Sequence, residues 1–403
     1  MTDLLLTGIG RLVTNDPDRS GLLGVVTDAA VAVKGGRVAW VGAEAEVLRE
    51  FREFRELDCG GRTVTPGFVD CHTHLVFGGD RADEFARRLR GESYEDIMAA
   101  GGGIQSTVEA TRASSASGLL NQAVRRAKRM LGTGTTTVEV KSGYGLNLDT
   151  ELRMLEVAAG IAEVLSIDVV TTFLGAHVVP AEYRDDRDAY VRLLIDEMLP
   201  AAAGKAAFCD VFCDDGAFTV EEARRILAAA AGHGMRPRLH ANQLGHSGGA
   251  ALAAEIGAVS ADHLDHITAT DIEGLYAAGT VAVLFPTVSL SLRLDPPPAR
   301  ALWNAGVPVA IATDCNPGTS YVENMLLVIA IATLTAGLTP EEAMWAATRG
   351  GARALDLDDK GWIKPGAAAD LVMLEADSYV EIPYRPGTDL VRMVIKDGEP
   401  VVS

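Results

Sequence analysis

Basic residues are scarce in this sequence of 403 residues. Lysine and arginine number 36 against 55 aspartates and glutamates, which gives a formal net charge of −19 and a pI of about 4.8. Nucleic acids and anionic membranes attract proteins with a basic surface, so this balance argues against both as partners. An anionic small-molecule substrate would need a locally cationic site.

Long hydrophobic runs and paired cysteines are also missing. The stretch MTDLLLTGIGRLVT has no basic segment followed by a long apolar one, so no secretory signal is expected. The longest apolar candidate, residues 325 to 338, is too short to cross a bilayer and is predicted to form a buried helix. No CxxC pair occurs among the five cysteines, which favours reduced thiols and a cytoplasmic location.

The two ends of the chain have the patterns of β-strands. Runs such as AAVAVKGGRVAWVGA near the start and LVRMVIKDGEPVVS at the end alternate strand-forming residues with turn signals. Neither segment can build a core alone, so residues 1–64 and 357–403 are predicted to pair into one small β-sandwich domain.

Residues 65–356 repeat a strand followed by a helix. Eight strand-like runs begin about 34 residues apart, near Val69, Thr137, Val169, Cys209, Arg238, Val259, Val281 and Pro308. The pattern predicts an α/β fold, a (β/α)₈ TIM-like barrel with its site at the carboxyl ends of the strands. An open doubly wound sheet is the alternative, but no GxGxxG follows the first strand.

Histidines collect at the predicted strand ends. In TPGFVDCHTHL, His72 and His74 are two residues apart and would face the same side of a strand, with Thr73 turned away. Five of the eight histidines, and one aspartate, fall at such ends: His72, His74, His177, His240, His263 and Asp314.

This arrangement predicts a metal site. His72, His74 and His240, with Asp314 as the fourth ligand, would supply three nitrogens and one oxygen for a single Zn²⁺ or Fe²⁺. The alternative for the HxH pair alone is two hydrogen-bonded core histidines, and the added His240 and Asp314 make that alternative weaker.

The same residues resemble the amidohydrolase superfamily, which has HxH on the first strand, histidines on strands five and six, and Asp in "ATD" on strand eight. Longer stretches, including HTHLVFGGDRADEF, EVKSGYGL, HANQLGHSGGAALAAEIGAVSADHL and ATDCNPGTS, resemble the imidazolonepropionase family within it. The resemblance implies hydrolysis of 4-imidazolone-5-propanoate to N-formimidoyl-L-glutamate by a homodimer. CDVFCDDG on strand four has no lysine, so the carbamylated lysine of two-metal members has no counterpart.

Several residues acquire roles from this substrate. His263 suits proton transfer near neutral pH, shared with Asp314, unless His263 is only a structural hydrogen-bonding residue. Arg81 is expected to bind the substrate carboxylate. Gln243 stands where deaminases of the superfamily have a proton-shuttling Glu; an amide can only hydrogen-bond, so Gln243 is predicted to contact substrate.

Loop residues complete the predicted site. By resemblance Tyr144 contacts the substrate, His177 donates a hydrogen bond to it, and the glycines 101–103 belong to a segment over the site. After Asp314, the turn residues Asn316, Gly318 and Thr319 offer an amide, backbone N–H groups and a hydroxyl for a carboxylate.

Two other functions fit parts of the pattern. A cyclic deaminase or amidase could act on another small acidic heterocycle, although Gln243 argues against deamination. A non-catalytic scaffold with the same fold would be expected to have lost metal ligands, whereas all four are present.

Overall fold

The computed structural model describes residues 3–92 and 102–402. Its strands form two eight-stranded sheets. The strands are β1 Leu4–Leu12, β2 Val26–Lys34, β3 Arg37–Ala43, β4 Arg55–Asp58, β5 Thr63–Pro66, β6 Phe68–Asp70, β7 Thr135–Lys141, β8 Asp168–Ala176, β9 Phe208–Cys213, β10 Arg236–Ala241, β11 Ser260–His263, β12 Val281–Leu284, β13 Val309–Ile311, β14 Leu371–Leu374, β15 Val391–Lys396 and β16 Glu399–Val402.

Helices cover most of the connections between the strands of the second sheet. The α-helices are α1 Ala82–Leu89, α2 Ile104–Ala113, α3 Ala116–Gly132, α4 Leu148–Val164, α5 Arg187–Leu193, α6 Leu199–Ala202, α7 Val220–Gly232, α8 Gly249–Glu255, α9 Ala269–Ala278, α10 Pro286–Leu292, α11 Ala299–Asn304, α12 Met325–Thr335, α13 Pro340–Trp345, α14 Gly351–Ala354 and α15 Glu381–Tyr384. Short π-helical turns at Leu194–Met198 and Ala346–Gly350, and 3₁₀ turns at Glu44–Glu46, Arg49–Glu53 and Ala181–Tyr183, add to them.

The first sheet joins the two ends of the chain, as predicted. Its order is β16-β15-β14-β5-β1-β2-β3, with β4 on β1, and the antiparallel β5–β14 pair links the terminal segments. Buried side chains of both segments, such as Leu6, Val31 and Ile395, share one core. The β2–β3 hairpin turns at Gly35 and Gly36, whose φ angles of 58° and 80° suit a type I′ turn.

The second sheet is the predicted eight-stranded barrel. Strands β6 to β13 run parallel in chain order, each beginning within two residues of the predicted start. A parallel bridge between Thr73 and Cys315 closes the ring between the segments after β6 and β13. Asp70 reinforces this closure because its carboxylate accepts hydrogen bonds from the backbone N–H and the hydroxyl of Thr313 at 3.1 and 2.6 Å.

The apolar segment predicted over 325–338 is a helix, α12, and six of its side chains are buried. Asn324 caps its start by accepting from the N–H of Leu326 at 2.9 Å. Within the described residues, no helix has both the length and the apolar character that a membrane crossing requires.

The division into residues 1–64 with 357–403 and 65–356 stays a prediction. Strand β5 reaches Pro66 inside the first sheet, so the first junction lies close to the predicted position. Ion pairs tie the two parts together: Lys360 and Lys396 both contact Asp168 of β8 and Asp370 beside β14, at 2.5 to 3.2 Å.

Candidate metal centre and substrate cavity

The carboxyl ends of the barrel strands open into a cavity of about 480 Å³. Of the sequence-predicted site residues, His72 alone is not part of its lining and lies fully buried beside it. The others are brought together there: His74, Arg81, Tyr144, His177, His240, Gln243, His263, Asp314, Asn316, Gly318 and Thr319. Cavities at this end of a barrel are the usual place for substrate sites.

The three predicted histidine ligands offer atoms within 4.8 Å of one another, and the fourth predicted ligand, Asp314, lies against two of them. Asp314 Oδ1 lies 3.6 Å from His72 Nε2 and 3.5 Å from His74 Nε2, and the Nε2 atoms of His74 and His240 are 3.4 Å apart. His72 Nε2 and Asp314 Oδ1 are buried without a hydrogen-bond partner in the described part of the chain. Buried acceptors that face one another without donors fit a bound cation, and this donor set suits a divalent metal ion.

Two carboxylates orient the ligating rings. Asp262 Oδ2 lies 2.6 Å from His72 Nδ1, and Asp210 Oδ1 lies 3.1 Å from His240 Nδ1. Since a carboxylate accepts, each Nδ1 carries the proton and each Nε2 presents its lone pair to the site. Carboxylate–histidine pairs of this kind are typical of metal centres.

A buried charge network supports these carboxylates. Lys141 Nζ lies 2.8 Å from Asp210 Oδ2 and from Glu139 Oε1, and Arg238 Nη2 donates to Asp262 Oδ2 at 3.1 Å. All five side chains are fully buried. Burial and the charge of Arg238 lower the pKa of Lys141, but the neighbouring carboxylates outweigh them and the pKa lies above its ordinary value.

The same network accounts for a second set of close acceptors. His72, Asp210 and Asp262 also offer atoms within 4.8 Å of one another. Lys141 lies against both aspartates, 2.8 Å from Asp210 and 3.9 Å from Asp262. Because the ammonium group of Lys141 already balances the charge of the two aspartates, we interpret this second set as support for the His72, His74 and His240 group and not as another metal site.

Sequence reasoning missed this network, although a signal was present. The strands of a barrel are covered on both faces and read as apolar runs, so charged residues inside them are exceptional. Glu139 and Lys141 share one face of β7, and Arg238 precedes the ligand His240 by two residues on β10. Charged residues two positions apart within apolar strands could have been predicted to point into the barrel.

Unusual backbone angles occur at several strand ends beside the cavity. His263, Leu264 and Asp314 have φ angles of 78°, 61° and 46°, and Asn242 after β10 has 53°. Left-handed angles are uncommon for residues other than glycine and cluster at functional sites. His263 Nδ1 has no hydrogen-bond partner in the described chain and lies 4.0 Å from Asp265, so no structural hydrogen bond explains this histidine.

Burial keeps the rings of His263 and His177 neutral in the metal-free chain. Burial, followed by the charge of His240, lowers the pKa of His263 well below its ordinary value. Burial likewise lowers the pKa of His177 to about 3. Burial has the opposite effect on a carboxylic acid and raises the pKa of Asp314 to about 7.

The loop after β7 positions Tyr144 and His177. Glu151 holds it by accepting from the N–H groups of Gly143, Gly145 and Leu146 at 2.7 to 2.9 Å. His177 Nδ1 donates to the carbonyl of Gly143 at 2.9 Å. A neutral His177 therefore presents Nε2 as an acceptor, whereas the predicted role was that of a donor.

Arg81 lies at the start of α1 and is paired. Its Nε donates to Glu84 Oε2 at 2.8 Å, and its Nη2 contacts the other carboxylate oxygen. Glu84 also accepts from the N–H of Gly103 at 2.8 Å. Residues 93–101 lie outside the described residues. They include residue 101, the first of the three glycines that were predicted to belong to a segment over the site.

The turn after Asp314 is held by Asn316. Its Oδ1 accepts from the N–H groups of Gly318 and Thr319, both at 2.8 Å, and its Nδ2 donates to the carbonyl of Asp314. The backbone donors predicted for a carboxylate are therefore engaged within the turn. A β-carbon on Gly318 would overlap the guanidinium of Arg81, so a residue without one is needed there.

Comparisons with known proteins agree with this centre. The model of the amidohydrolase family matches residues 63–401. Among curated relatives, an imidazolonepropionase of Mycolicibacterium smegmatis is 49% identical over 99% of this chain and 98% of its own length. Another from Salinispora arenicola is 48% identical over 99% of both chains. The chain therefore belongs to the amidohydrolase family and, within it, to the imidazolonepropionases.

Solved structures show the same fold at low identity. A 5-methylcytosine deaminase from Klebsiella pneumoniae, liganded with 5-fluorocytosine, aligns with a TM-score of 0.76 at 18% identity over 99% of this chain and 97% of its own. An adenosine deaminase from Xanthomonas campestris with bound zinc aligns with a TM-score of 0.73 at 21% identity, over 100% of this chain and 93% of its own. Both confirm the barrel with its terminal sheet.

Proposed function

We propose that this chain hydrolyses the ring C–N amide bond of 4-imidazolone-5-propanoate to N-formimidoyl-L-glutamate, a step of histidine degradation. The observation that carries the proposal is one cavity whose wall combines His74, His240 and Asp314, with His72 buried beside them, and arginine side chains. The curated relatives support the choice of substrate, because two imidazolonepropionases match nearly the whole chain.

His72, His74, His240 and Asp314 would hold the metal ion. When bound, a divalent cation supplies Lewis acidity and lowers the pKa of a coordinated water. Zn²⁺ and Fe²⁺ both accept these nitrogen and oxygen ligands, and we propose one such ion per subunit.

The chain's own residues move the protons. Hydrolysis joins the oxygen of water to the ring carbonyl carbon and breaks the bond from that carbon to nitrogen, so one proton leaves the water and one reaches the nitrogen. His263 lines the cavity with an unpartnered Nδ1 and stays neutral, which suits a proton acceptor. Asp314, beside it in the cavity, would share this task.

The remaining lining residues would orient the substrate. Arg81 would bind the propanoate carboxylate, and Tyr144 would lie against the ring with His177 accepting a hydrogen bond. Gln243, Asn316, Gly318 and Thr319 complete the wall. The side chain of Gln243 can hydrogen-bond to the ring but cannot transfer a proton, which disfavours deamination.

We also propose a homodimer in the cytoplasm. The family resemblance supports the dimer. The five cysteines are all free and buried, which fits a reducing compartment. Light scattering coupled to gel filtration measures the dimer directly.

Freshly prepared imidazolone propanoate provides the test. We expect its ultraviolet absorbance to fall on addition of the metal-loaded chain, and the rate to collapse after chelation and return with Zn²⁺ or Fe²⁺. Metal analysis of the purified chain should give about one ion per subunit. Release of ammonia without ring opening would favour a deaminase, and a metal-loaded chain that leaves the substrate intact would favour the scaffold.

A further inference from the structure

Three charged side chains meet where α1 borders the cavity. Arg81, Glu84 and Arg88 line it, and Asp314 of the metal centre is the only other charged residue in its described lining. We call these three the Arg81–Glu84–Arg88 group. Its balance of charge adds to the attraction that the metal centre exerts on an anion, in a chain whose net charge is −19.

Arg81 supplies no uncompensated charge to this group. Its guanidinium is bound through two nitrogens by Glu84. Burial would raise the pKa of Glu84, but the hydrogen bonds from Arg81 and Gly103 outweigh it and hold the pKa below its ordinary value. Glu84 is therefore ionised at neutral pH, and the Arg81–Glu84 pair is neutral as a whole.

Arg88 has no such partner. Its Nη1 donates to the carbonyl of Gly318 at 3.2 Å, and its Nη2 is buried and makes no hydrogen bond in the described chain. The guanidinium also lies 5.4 Å from the centre of the Phe85 ring. A carbonyl and an aromatic ring leave the positive charge of Arg88 in place, so it is the excess cation of the group.

We propose that Arg88 is a specificity-determining residue that makes the cavity select ligands with a carboxylate. Arg81 would contact the carboxylate, while Arg88 supplies the net charge that attracts it and orients it from beside Gly318. The proposal rests on the proposed function for the identity of the substrate. It extends that function by assigning the choice of an anionic over a neutral heterocycle to a residue outside the predicted site.

The test compares two ligands that differ only in the carboxylate tail. Imidazole-4-propanoate and 4-ethylimidazole are titrated calorimetrically into the metal-loaded wild type and into Arg88→Gln, Arg88→Lys and Arg87→Gln. Arg87 is the matched control, since it lies one residue away, is paired with Glu92 at 2.7 Å and does not line the cavity. KM and kcat for imidazolone propanoate are measured in parallel.

We expect Arg88→Gln to reduce the preference for imidazole-4-propanoate about tenfold to a hundredfold, as expected for a lost charge near a carboxylate. Arg88→Lys, which keeps the charge, should retain most of the preference, and Arg87→Gln all of it. KM should rise in Arg88→Gln with kcat nearly unchanged. An unchanged preference in Arg88→Gln, or a wild type without preference, would overturn the proposal. A wild type that prefers the carboxylate yet fails to open the substrate ring would instead remove only the proposed function.

Discussion

The metal centre and the Arg81–Glu84–Arg88 group lie in one cavity but are held in place differently. Ligands of the metal centre stand at the ends of barrel strands, and fully buried side chains such as Asp262, Asp210 and Lys141 fix their rings. The arginines stand at the start of α1 and within it, and both are partly exposed. Support from a buried network makes the metal centre the more rigid and the more costly to disturb.

Removal of the buried ammonium should have the largest effect. In Lys141→Met the carboxylates of Asp210 and Glu139 lose their cation without access to water, and an uncompensated buried charge costs about 3–5 kcal/mol. Urea unfolding of the metal-free chain would measure this loss. Lys205→Met is the control, because Lys205 forms a partly exposed pair with Glu156 at 3.0 Å and should lose less than about 1 kcal/mol.

A second change distinguishes charge from packing at this position. Adding Glu139→Gln to Lys141→Met removes one of the unmatched negative charges and should restore part of the lost free energy of unfolding. Equal losses in Lys141→Met and Lys205→Met would show that the network contributes no more than a surface pair.

The carboxylate behind His72 should control metal affinity. Asp262→Asn keeps the size of the side chain but removes the charge that holds the proton on His72 Nδ1. Loss of such a partner weakens metal binding about 10–100-fold. Competition with a chromophoric chelator measures the dissociation constant of the metal. The control is Asp265→Asn, because the Asp265 carboxylate lies 4.0 Å from His263 and not against a predicted ligand. This variant should bind metal like the wild type. Wild-type affinity in Asp262→Asn would contradict the assigned support.

A smaller effect is expected at the arginine group. The methyl group of Gly318→Ala would displace the guanidinium of Arg81, so KM should rise about tenfold, the effect of a weakened charged hydrogen bond. The value of kcat should change little, because the metal centre is untouched. Gly232→Ala, where a β-carbon meets no atom within 4 Å, is the control and should leave both constants unchanged. A fall in kcat with KM unchanged would place Gly318 in the chemical step instead.

The difference between the metal centre and the Arg81–Glu84–Arg88 group also explains which parts of the site could be predicted from the sequence. His72 and His74 lie on one side because side chains alternate along a strand, and a barrel brings strand ends together, so spacing was enough to predict which residues would meet at the candidate metal centre. The pairing of Lys141 with Asp210 joins two strands and depends on which neighbours face inward, which only the folded barrel shows.

Local hydrogen bonds account for the other differences. Asn316 could be expected to offer its amide to a ligand, yet its oxygen caps the N–H groups of Gly318 and Thr319. Arg81 was expected to bind the substrate carboxylate, and the sequence did not predict that Glu84, one turn further along α1, pairs with it. Such pairings depend on where a helix begins, and residue types in a loop do not reveal that position.

The last expected effect is a pH dependence of metal-linked stability, which is small over any one pH unit. Burial raises the pKa of Asp314 to about 7 in the metal-free chain, above its value of about 3.9 in an unfolded chain. The folded metal-free state therefore binds more protons than the unfolded state between these values. Through Asp314 alone, the stability of the metal-free chain is greatest at low pH and falls as pH rises toward 7, by at most about 1.4 kcal/mol per pH unit.

Metal binding should remove this loss, because a ligating Asp314 is ionised and its charge is matched by the cation. The difference in melting temperature between metal-loaded and metal-free chains should therefore grow from about pH 5 to about pH 7. Burial also raises the pKa of Asp70 to about 7, and the charge of Asp70 adds to the rise in the pKa of Asp314, so the variant Asp314→Asn is needed to isolate the contribution of Asp314. The slope should vanish in Asp314→Asn, and a flat difference in the wild type would show that the metal does not displace a proton from this aspartate.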